Sequence, residues 1–224
     1  MDVAIVHYNT PELTEAAIRS VWKHTPGCRI TVFDNSDKRE FRYKDDVAVI
    51  DNTRGQIIDF EMMLSKYPNK IPTACNWGSE KHIASVDNLF DVLPGGFVLM
   101  DSDVLLKRDI SDLFDSSLAW IGGIEHKPKF WFQGVRCFPF LLWINVPMLR
   151  KHGIRFFHEG MVYKMSHHGA PYYDTGGSLY VDCNRAKLPY KEINLNEYIE
   201  HLGGASCYPT DWMGWLEQRK DLYE

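Results

Sequence analysis

The chain of 224 residues is long enough for one large domain or for a domain with an added lobe. Hydrophobic residues make up 45% of it and charged residues 25%, ordinary globular values that exclude a disordered or fibrous chain. The formal net charge of −5 excludes a general basic field for binding nucleic acid.

Cysteine spacing and hydropathy bear on the compartment. The five cysteines are scattered and form no C-x-x-C pair, which argues against a disulfide framework or a thiolate zinc site. The chain begins on a strand-like run, without the basic and long apolar segments of a signal peptide. Its longest apolar stretch, 138–149, contains two prolines and is too short to span a bilayer, which takes about 20 apolar residues. We therefore expect a cytoplasmic protein, with at most a peripheral contact at the inner face of the membrane.

The first half of the chain alternates strand and helix patterns. A continuous apolar run, typical of a strand buried on both faces of a parallel sheet, occupies Val3–Tyr8. Further strands are predicted at Ile30–Phe33, Val47–Ile50 and Gly96–Met100. Helices are predicted over 11–24, with Thr10 as N-cap, and over 56–67 and 79–92. This alternation predicts an α/β fold with an open, mostly parallel sheet and helices on both faces.

The second half is less regular. The patterns predict a short helix over 109–116, a strand over 119–125, an aromatic stretch over 130–143, a helix near 147–152 and another beginning between 174 and 177. Neither a repeat nor a linker divides the chain. We therefore expect a single domain, 1–224, in which a nucleotide-binding half, 1–105, continues into a smaller and irregular half, 106–224.

Polar residues follow each early strand at the point where it ends, in the segments 7–9, 34–36 and 52–55. Ligands of open parallel sheets bind outside the carboxyl ends of the strands, so this recurrence predicts a binding site at that edge. The fourth strand ends in Asp101 and Asp103, two carboxylates that repel each other unless they are solvated or bridged by a cation. A hard divalent ion that completes its shell with diphosphate oxygens would satisfy both charges. A solvated acidic turn is the alternative.

Three motifs follow one another in a fixed order along the chain. The opening reads IVHYNTPELTEAAIRSVWKHTP followed by ITVFDNSD, the fourth strand reads VLMDSDV, and a late segment, 201–206, reads HLGGAS. Together they resemble the motifs of family 2 glycosyltransferases, which have the GT-A fold. The resemblance covers roughly the first half of the chain and the rest in patches. It implies an enzyme, expected to be inverting, that uses Mn²⁺ or Mg²⁺. Such an enzyme moves a sugar from a nucleotide-diphospho-sugar, with a UDP-sugar favoured, to a glycan or lipid-linked acceptor, as in polysaccharide assembly.

The resemblance also assigns donor residues. Asp34 would accept the imide N–H of a uracil or thymine ring, although an Asx turn is the alternative for this residue. The family's Arg-Asn pair is replaced here by the segment 78–82, so the diphosphate contacts from that segment stay open, with Lys81 a weak substitute. The implied nucleotide-sugar site comprises His7, Tyr8, Asn9, Asp34, Asn52, Arg54, Asp101 and Ser102.

Metal and acceptor residues follow in the same way. Asp103 would bind the ion directly, Asp101 would reach it through water or reach the donor's ribose, and His201 would be the third ligand, because neutral imidazole can join a carboxylate site. Asp174 would be the catalytic base on the acceptor hydroxyl, with Glu159 and Asp182 as competing carboxylates. Trp131 would stack on an acceptor sugar. Other aromatic side chains could share that role or pack in the core: Phe130, Phe132 and Trp143.

Three alternatives remain at this point. YDTGG with a later H-x-x-G also resembles the retaining family 8 glycosyltransferases, which pair D-x-D with a late histidine. A nucleotidyltransferase would need a glycine-rich, basic loop directly after the first strand, and the segment 7–11 has none. A non-catalytic nucleotide or carbohydrate-binding protein would bind without turnover.

Overall fold

The computed structural model describes residues 1–38, 41–42, 46–65, 74–126, 135–156, 175–204 and 211–224, with the backbone alone over 63–65 and 74–80. The strands are β1 Asp2–His7, β2 Arg29–Asp34, β3 Val47–Asp51, β4 Phe97–Asp101, β5 Val104–Leu106, β6 Trp120–Glu125, β7 Arg136–Ile144, β8 Tyr190–Glu192 and β9 Ile199–His201. The helices are α1 Pro11–His24, α2 Phe60–Ser65, α3 Ala74–Val92, α4 Val146–Lys151, α5 Gly177–Arg185 and α6 Trp212–Glu217. Single 3₁₀ turns occupy Ser111–Leu113, Leu195–Glu197 and Lys220–Leu222.

Seven of these strands form one sheet in the order β3-β2-β1-β4-β7-β6-β8. The first four are parallel, β7 runs antiparallel to both β4 and β6, and β8 is parallel to β6. The remaining strands, β5 and β9, pair antiparallel in a small second sheet. The mostly parallel sheet predicted from the apolar runs is thus confirmed, and strands from both halves of the chain build it.

Helices cover both faces of the sheet because side chains alternate along each strand. In β1, Ala4 and Val6 face a core that includes Val86, Leu89 and Phe90 of α3. The neighbouring positions Val3 and Ile5 face a second core on the other side, which includes Ala17, Ile18 and Val21 of α1. Burial on both faces explains why β1, β2 and β4 read as unbroken apolar runs.

The structure departs from the sequence prediction where tertiary pairing decides. The predicted helix over 109–116 is one 3₁₀ turn, and the aromatic stretch contains the long strand β7. The short strands β5, β8 and β9 were not predicted, because three residues are too few to show a period. Thr10 does hold the N-cap position of α1, but its side chain makes no capping hydrogen bond.

Among the described residues, no helix has the length and apolar character that a membrane crossing requires.

Candidate functional site

Two carboxylates and one imidazole meet beyond the carboxyl end of β4. Asp101 is the last residue of β4, Asp103 lies in the turn that leads to β5, and His201 ends β9. One ligand atom from each of the three residues can be chosen so that all lie within 4.8 Å of one another. The Nε2 atom of His201 is 3.4 Å from Oδ1 of Asp103. The structure therefore brings together the three residues predicted as metal ligands.

The small β5–β9 sheet produces this meeting. Val104 pairs with His201 in the antiparallel register, and the N–H of Leu202 donates to the carbonyl of Asp103 at 3.1 Å. The strands before and after the turn are anchored by side chains that are almost completely buried, such as Met100 and Val104. The polar turn between β4 and β5 is therefore fixed on both sides by buried apolar residues at the edge of the sheet.

The charges in this cluster depend on one another. Burial of the His201 imidazole opposes its protonation, but the hydrogen bond to Asp103 and the charges of Asp103 and Asp101 outweigh burial and raise the pKa of His201. Oδ1 of Asp101 is buried and has no hydrogen-bond partner among the described residues. An acceptor atom left in this state is costly unless a cation or donor compensates it. Carboxylate oxygens with one imidazole suit Mn²⁺ or Mg²⁺, so the cluster fits the predicted divalent ion.

His82 on α3 is a member of the site that sequence reasoning did not assign. Its Nε2 atom lies 3.3 Å from Oδ1 of Asp101, which is ion-pair distance, yet neither atom makes a hydrogen bond of acceptable geometry within the described residues. The neighbouring Lys81 places its ammonium group 5.6 Å from the ring centre of Tyr8. The only sequence signal was position, since both residues belong to the segment that replaces the family's Arg-Asn pair.

The loops after β1 and β2 are tied together by polar side chains. The hydroxyl of Tyr8 donates to Asp37 at 3.2 Å, and the side-chain amide of Asn9 donates to the same carboxylate. The hydrogen bond from Asn9 is the main reason why the pKa of Asp37 is lowered. Asn9 has a φ of 57°, the left-handed region, and its own N–H donates to the hydroxyl of Ser36.

Asp34 lies beneath these loops with only 2% of its surface exposed. One carboxylate oxygen accepts from the N–H of Ser36 at 2.9 Å and the other from the N–H of Phe41 at 2.7 Å. His7 is fully buried beside it, 3.9 Å away, and bonds Thr14. Because His7 has no exposed surface, it can influence a bound donor only through a neighbour such as Asp34. A contact between Asp34 and the nucleobase of the donor stays a prediction.

Asn52 is also buried and holds the loop after β3. Its side-chain oxygen accepts from the N–H groups of Ile57 and Ile58, and its amide nitrogen donates to Asn35 at 3.0 Å. Arg54 is exposed instead and lines a small cleft of about 470 Å³ with Lys38 and other residues. The two residues predicted near the donor therefore have different environments.

Ser102 lies between the two aspartates, and its hydroxyl is 3.5 Å from that of Thr10 at the start of α1. This contact links the turn after β4 to the loop after β1. The strand-end residues predicted for the donor therefore share one edge of the sheet.

Other predicted residues contribute less or cannot be placed. Trp143 is buried in the core, so of its two sequence-based alternatives, acceptor stacking and core packing, it takes core packing. Asp182 lies on α5 and pairs with Arg185 at 3.0 Å. Cys28, Cys137 and Cys183 are buried free thiols, as expected. Predicted residues that lie outside the described part of the chain are Phe130, Trp131, Phe132, Glu159 and Asp174.

No family profile matches the chain, and no curated protein matches its sequence. Solved structures do match it. The galactosyltransferase LgtC, in complex with donor and acceptor sugar analogues, aligns with a TM-score of 0.61 at 14% identity, over 100% of this chain and 95% of that one. The mannosyltransferase PcManGT of Pyrobaculum calidifontis, in complex with GDP-Man and Mn²⁺, aligns with a TM-score of 0.50 at 11% identity, over 97% of this chain and 60% of that one. At such identities the likeness shows the fold, which is that of GT-A glycosyltransferases.

Proposed function

We propose that this protein is a metal-dependent glycosyltransferase that moves a sugar from a nucleotide-diphospho-sugar to a glycan or lipid-linked acceptor. The observation that carries the proposal is the Asp101–Asp103–His201 cluster at the carboxyl end of β4, in a GT-A sheet. Sites of open α/β sheets lie at this edge. A cytoplasmic location, with a peripheral contact to the membrane, is part of the same proposal.

The residues of the cluster would each have a distinct task. Asp103 and His201 would hold the divalent ion, and Asp101 would complete its ligand set or orient the donor's ribose. The ion, when bound, would neutralise charge that develops on the departing diphosphate. His82 and Lys81 lie where α3 approaches this edge, and Lys81 offers a positive charge to the diphosphate.

The remaining donor residues would position the nucleotide. Tyr8, Asn9 and Asp37 form a bonded surface at the ends of β1 and β2 on which the base or ribose can lie. Asp34 and Asn52 would keep that surface in place from below, since both are buried and bonded to backbone N–H groups. A UDP-sugar remains our first candidate donor. GDP-Man is the second, because the matching mannosyltransferase binds it.

The stereochemical outcome has two candidates. Inversion follows from the family 2 resemblance, with Asp174 removing the proton of the acceptor hydroxyl. Retention follows from the family 8 resemblance, which pairs D-x-D with a late histidine, but the contact between Asp103 and His201 is expected for either outcome because His201 is also the implied metal ligand of the inverting enzyme. Proton NMR of the product from an α-linked donor separates them: a β-linked product supports inversion, and an α-linked product supports retention. Asp174→Asn should lower turnover at least about 10²-fold only in the inverting case.

The first experiment is a thermal shift of the full chain against UDP, dTDP, GDP and ADP, each with and without Mn²⁺. We expect stabilisation by one nucleotide that depends on the metal, since a ligand at 100 times its dissociation constant adds about 2.7 kcal/mol. The matching nucleotide-sugar should then be hydrolysed slowly and transferred faster when an acceptor is present. Equal shifts with every nucleotide, with no effect of metal, would contradict the proposal. Metal-dependent binding without turnover would indicate a non-catalytic binding protein.

A further inference from the structure

A second cleft, of about 940 Å³, opens beside the candidate metal site. It lies over β6 and β7 and is closed on its other side by the segment from β8 to β9. His201 belongs both to this cleft and to the metal cluster. The cleft is therefore continuous with the place where the donor would react. Besides His201, its lining residues include Gly123, Phe138, Phe140, Glu192 and Asn194.

Aromatic side chains form the floor of the cleft. Phe138 and Phe140 are two positions apart on β7 and hence on the same face of the strand. Their ring centres are 4.9 Å apart with planes 21° from parallel, and the ring of Phe140 lies 3.9 Å from that of His201. Both phenylalanines are half-buried, so each still presents part of its ring surface to the cleft. The result is a continuous aromatic surface that ends at a candidate metal ligand.

Gly123 on β6 permits this floor. A Cβ atom at this position would lie 2.7 Å from the side chain of Leu195 and 3.2 Å from the ring of Phe138. The missing side chain lets Leu195 and Phe138 approach the strand closely. The apolar floor therefore extends from Phe138 on β7 past Gly123 on β6 to Leu195, without a bulky side chain between them.

The rim of the cleft is polar and slightly acidic. Glu192, Asn194, Asn196 and Glu200 supply carboxylate and amide groups. Lys107 is the one permanently cationic side chain among the described residues that line the cleft, and it is already engaged by Glu200 at 3.3 Å and by the carbonyl of Asn196 at 2.9 Å. Glu192 pairs with His126 at 2.8 Å. Glu200 also forms an ion pair with Arg219 at 3.4 Å, so the charged groups of the rim are already paired. An anionic ligand would find no unengaged lysine or arginine among these lining residues.

We infer that this cleft binds the acceptor and that the acceptor presents a neutral pyranose ring to it. A pyranose has C–H groups on its faces and hydroxyls around its edge, so it can cover the aromatic floor while its hydroxyls bond the rim. Carboxylate and amide groups accept from sugar hydroxyls, and Asn194 and Asn196 can also donate. An apolar floor with a few polar groups at its rim is typical of small-ligand sites. The inference rests on the proposed function and adds a substrate class to it.

The test is saturation-transfer difference NMR with the full chain and simple probes. Methyl β-D-glucopyranoside and methyl β-D-galactopyranoside are neutral, and methyl β-D-glucuronide is their acidic counterpart. We expect at least one neutral probe to bind more tightly than the glucuronide. Phe138→Leu keeps an apolar side chain but removes the ring and should weaken the neutral probe about three- to tenfold, whereas Phe138→Tyr should retain it. Glu192→Gln should reduce the discrimination against the glucuronide.

Matched controls separate this inference from the proposed function. Phe114→Leu removes an exposed phenylalanine that does not line the cleft and should leave probe binding unchanged. Thermal shift with UDP and Mn²⁺ is measured on every variant, so a variant that does not fold or has lost the donor site is recognised. The inference is overturned if Phe138→Leu binds the neutral probe as well as wild type does, or if the glucuronide binds as tightly as the neutral probes. It is also overturned if a nucleotide-sugar displaces the probe while the free nucleotide does not, because the cleft would then hold the donor's sugar. In these cases metal-dependent nucleotide binding can persist, and the proposed function stands.

Discussion

Two polar regions lie at the same edge of the sheet and differ in how their polar atoms are satisfied. Beneath the loops after β2 and β3, Asp34 and Asn52 are each 2% exposed and bond several backbone N–H groups. Beyond β4, Asp101 retains a buried oxygen without a hydrogen-bond partner among the described residues, and it lies near Asp103 and His201. A satisfied network rigidifies the structure, whereas an incompletely satisfied one is suited to a ligand that completes it.

Substitutions of the same residue type should therefore have different effects in the two regions. An aspartate whose oxygens are used by the backbone should matter for stability, and one whose oxygens face other ligands should matter for binding. The resemblance to glycosyltransferases implied donor contacts for both regions alike. Substitutions whose effects on stability and on ligand binding are measured separately therefore test whether the two regions differ in this way.

The largest effect is expected for Asp103→Asn, which keeps the shape of the side chain and removes its charge. The transfer rate should fall about 10²- to 10³-fold, the usual scale for losing one group that stabilises transition-state charge. The dependence of UDP binding on Mn²⁺ should be lost as well. Steady-state kinetics and a metal titration followed by thermal shift measure both. Asp46→Asn is the matched control. Asp46 is exposed and precedes the amino end of β3, whereas the cluster lies at the carboxyl end of the parallel strand β4. A fully active Asp103→Asn enzyme would remove the cluster from the mechanism.

Asn52→Ala tests the satisfied region. The N–H groups of Ile57 and Ile58 would lose their acceptor, so the free energy of unfolding should fall by about 1–3 kcal/mol. Urea unfolding measures the loss, and the extra stabilisation by the nucleotide–metal complex should stay as in wild type. Asn184→Ala removes an exposed asparagine that bonds the carbonyl of Tyr180 and serves as control. If Asn52→Ala folds as stably as wild type but binds UDP more weakly, the residue contacts the donor and the comparison fails.

The pH dependence of the cluster has two opposite signs. Because the folded pKa of His201 is raised, its protonated pair with Asp103 stabilises the metal-free protein fully below the unfolded pKa of about 6.5. That stabilisation is lost as pH rises through the folded pKa. Metal binding requires the neutral imidazole, so affinity for Mn²⁺ should instead weaken as pH falls through the same pKa.

Thermal unfolding in EDTA and Mn²⁺ titrations between pH 5 and pH 9 follow the two trends. His201→Gln should remove the part of both pH dependences that is due to His201. His152 is an exposed histidine at the end of α4, and His152→Gln should change neither pH dependence. Metal affinity that is independent of pH in the wild-type protein would show that His201 is not a ligand.

The smallest effect is expected for Arg54→Ala. Arg54 is exposed in the cleft that it shares with Lys38, so any contact with the diphosphate or base is screened by solvent. Nucleotide affinity, measured by isothermal titration calorimetry, should weaken less than tenfold, and the difference from wild type should shrink at high salt. Arg19→Ala, an exposed arginine on α1, is the control. A loss of a hundredfold would place Arg54 among the main donor contacts.

The first half of the fold was accessible from the sequence because its signals are local. Unbroken apolar runs predicted β1, β2 and β4, and the turn and capping pattern predicted α1 with its observed bounds. β7 was not predicted, because Pro139 interrupts its run of aromatic and apolar residues. Whether a strand can contain a proline depends on how it pairs with neighbouring strands, which the local sequence does not reveal. The same limit applies to the three-residue strands.

The residues of the candidate site also differ in whether local sequence could reveal them. Asp101 and Asp103 were predicted at a strand end because a D-x-D pair after an apolar run is visible in adjacent residues. His82 was not assigned, since nothing local distinguishes a histidine that approaches Asp101 from one on any other helix surface. Trp131, the acceptor residue predicted from the sequence, lies outside the described residues, and the cleft that we propose for the acceptor is lined by Phe138 and Phe140 of the same aromatic stretch.

The strand–helix alternation, the polar strand ends and the two aspartates at the end of β4 could thus be derived from the sequence alone. Those properties follow from the chemistry of consecutive residues. The contact between His201 and Asp103 depends on tertiary structure, because it requires β9 to pair with β5 across a long stretch of chain. Tertiary structure likewise decided that Asp34 is buried while Arg54 is exposed. Burial depends on what packs against a residue, and the packing partners lie far away in the chain.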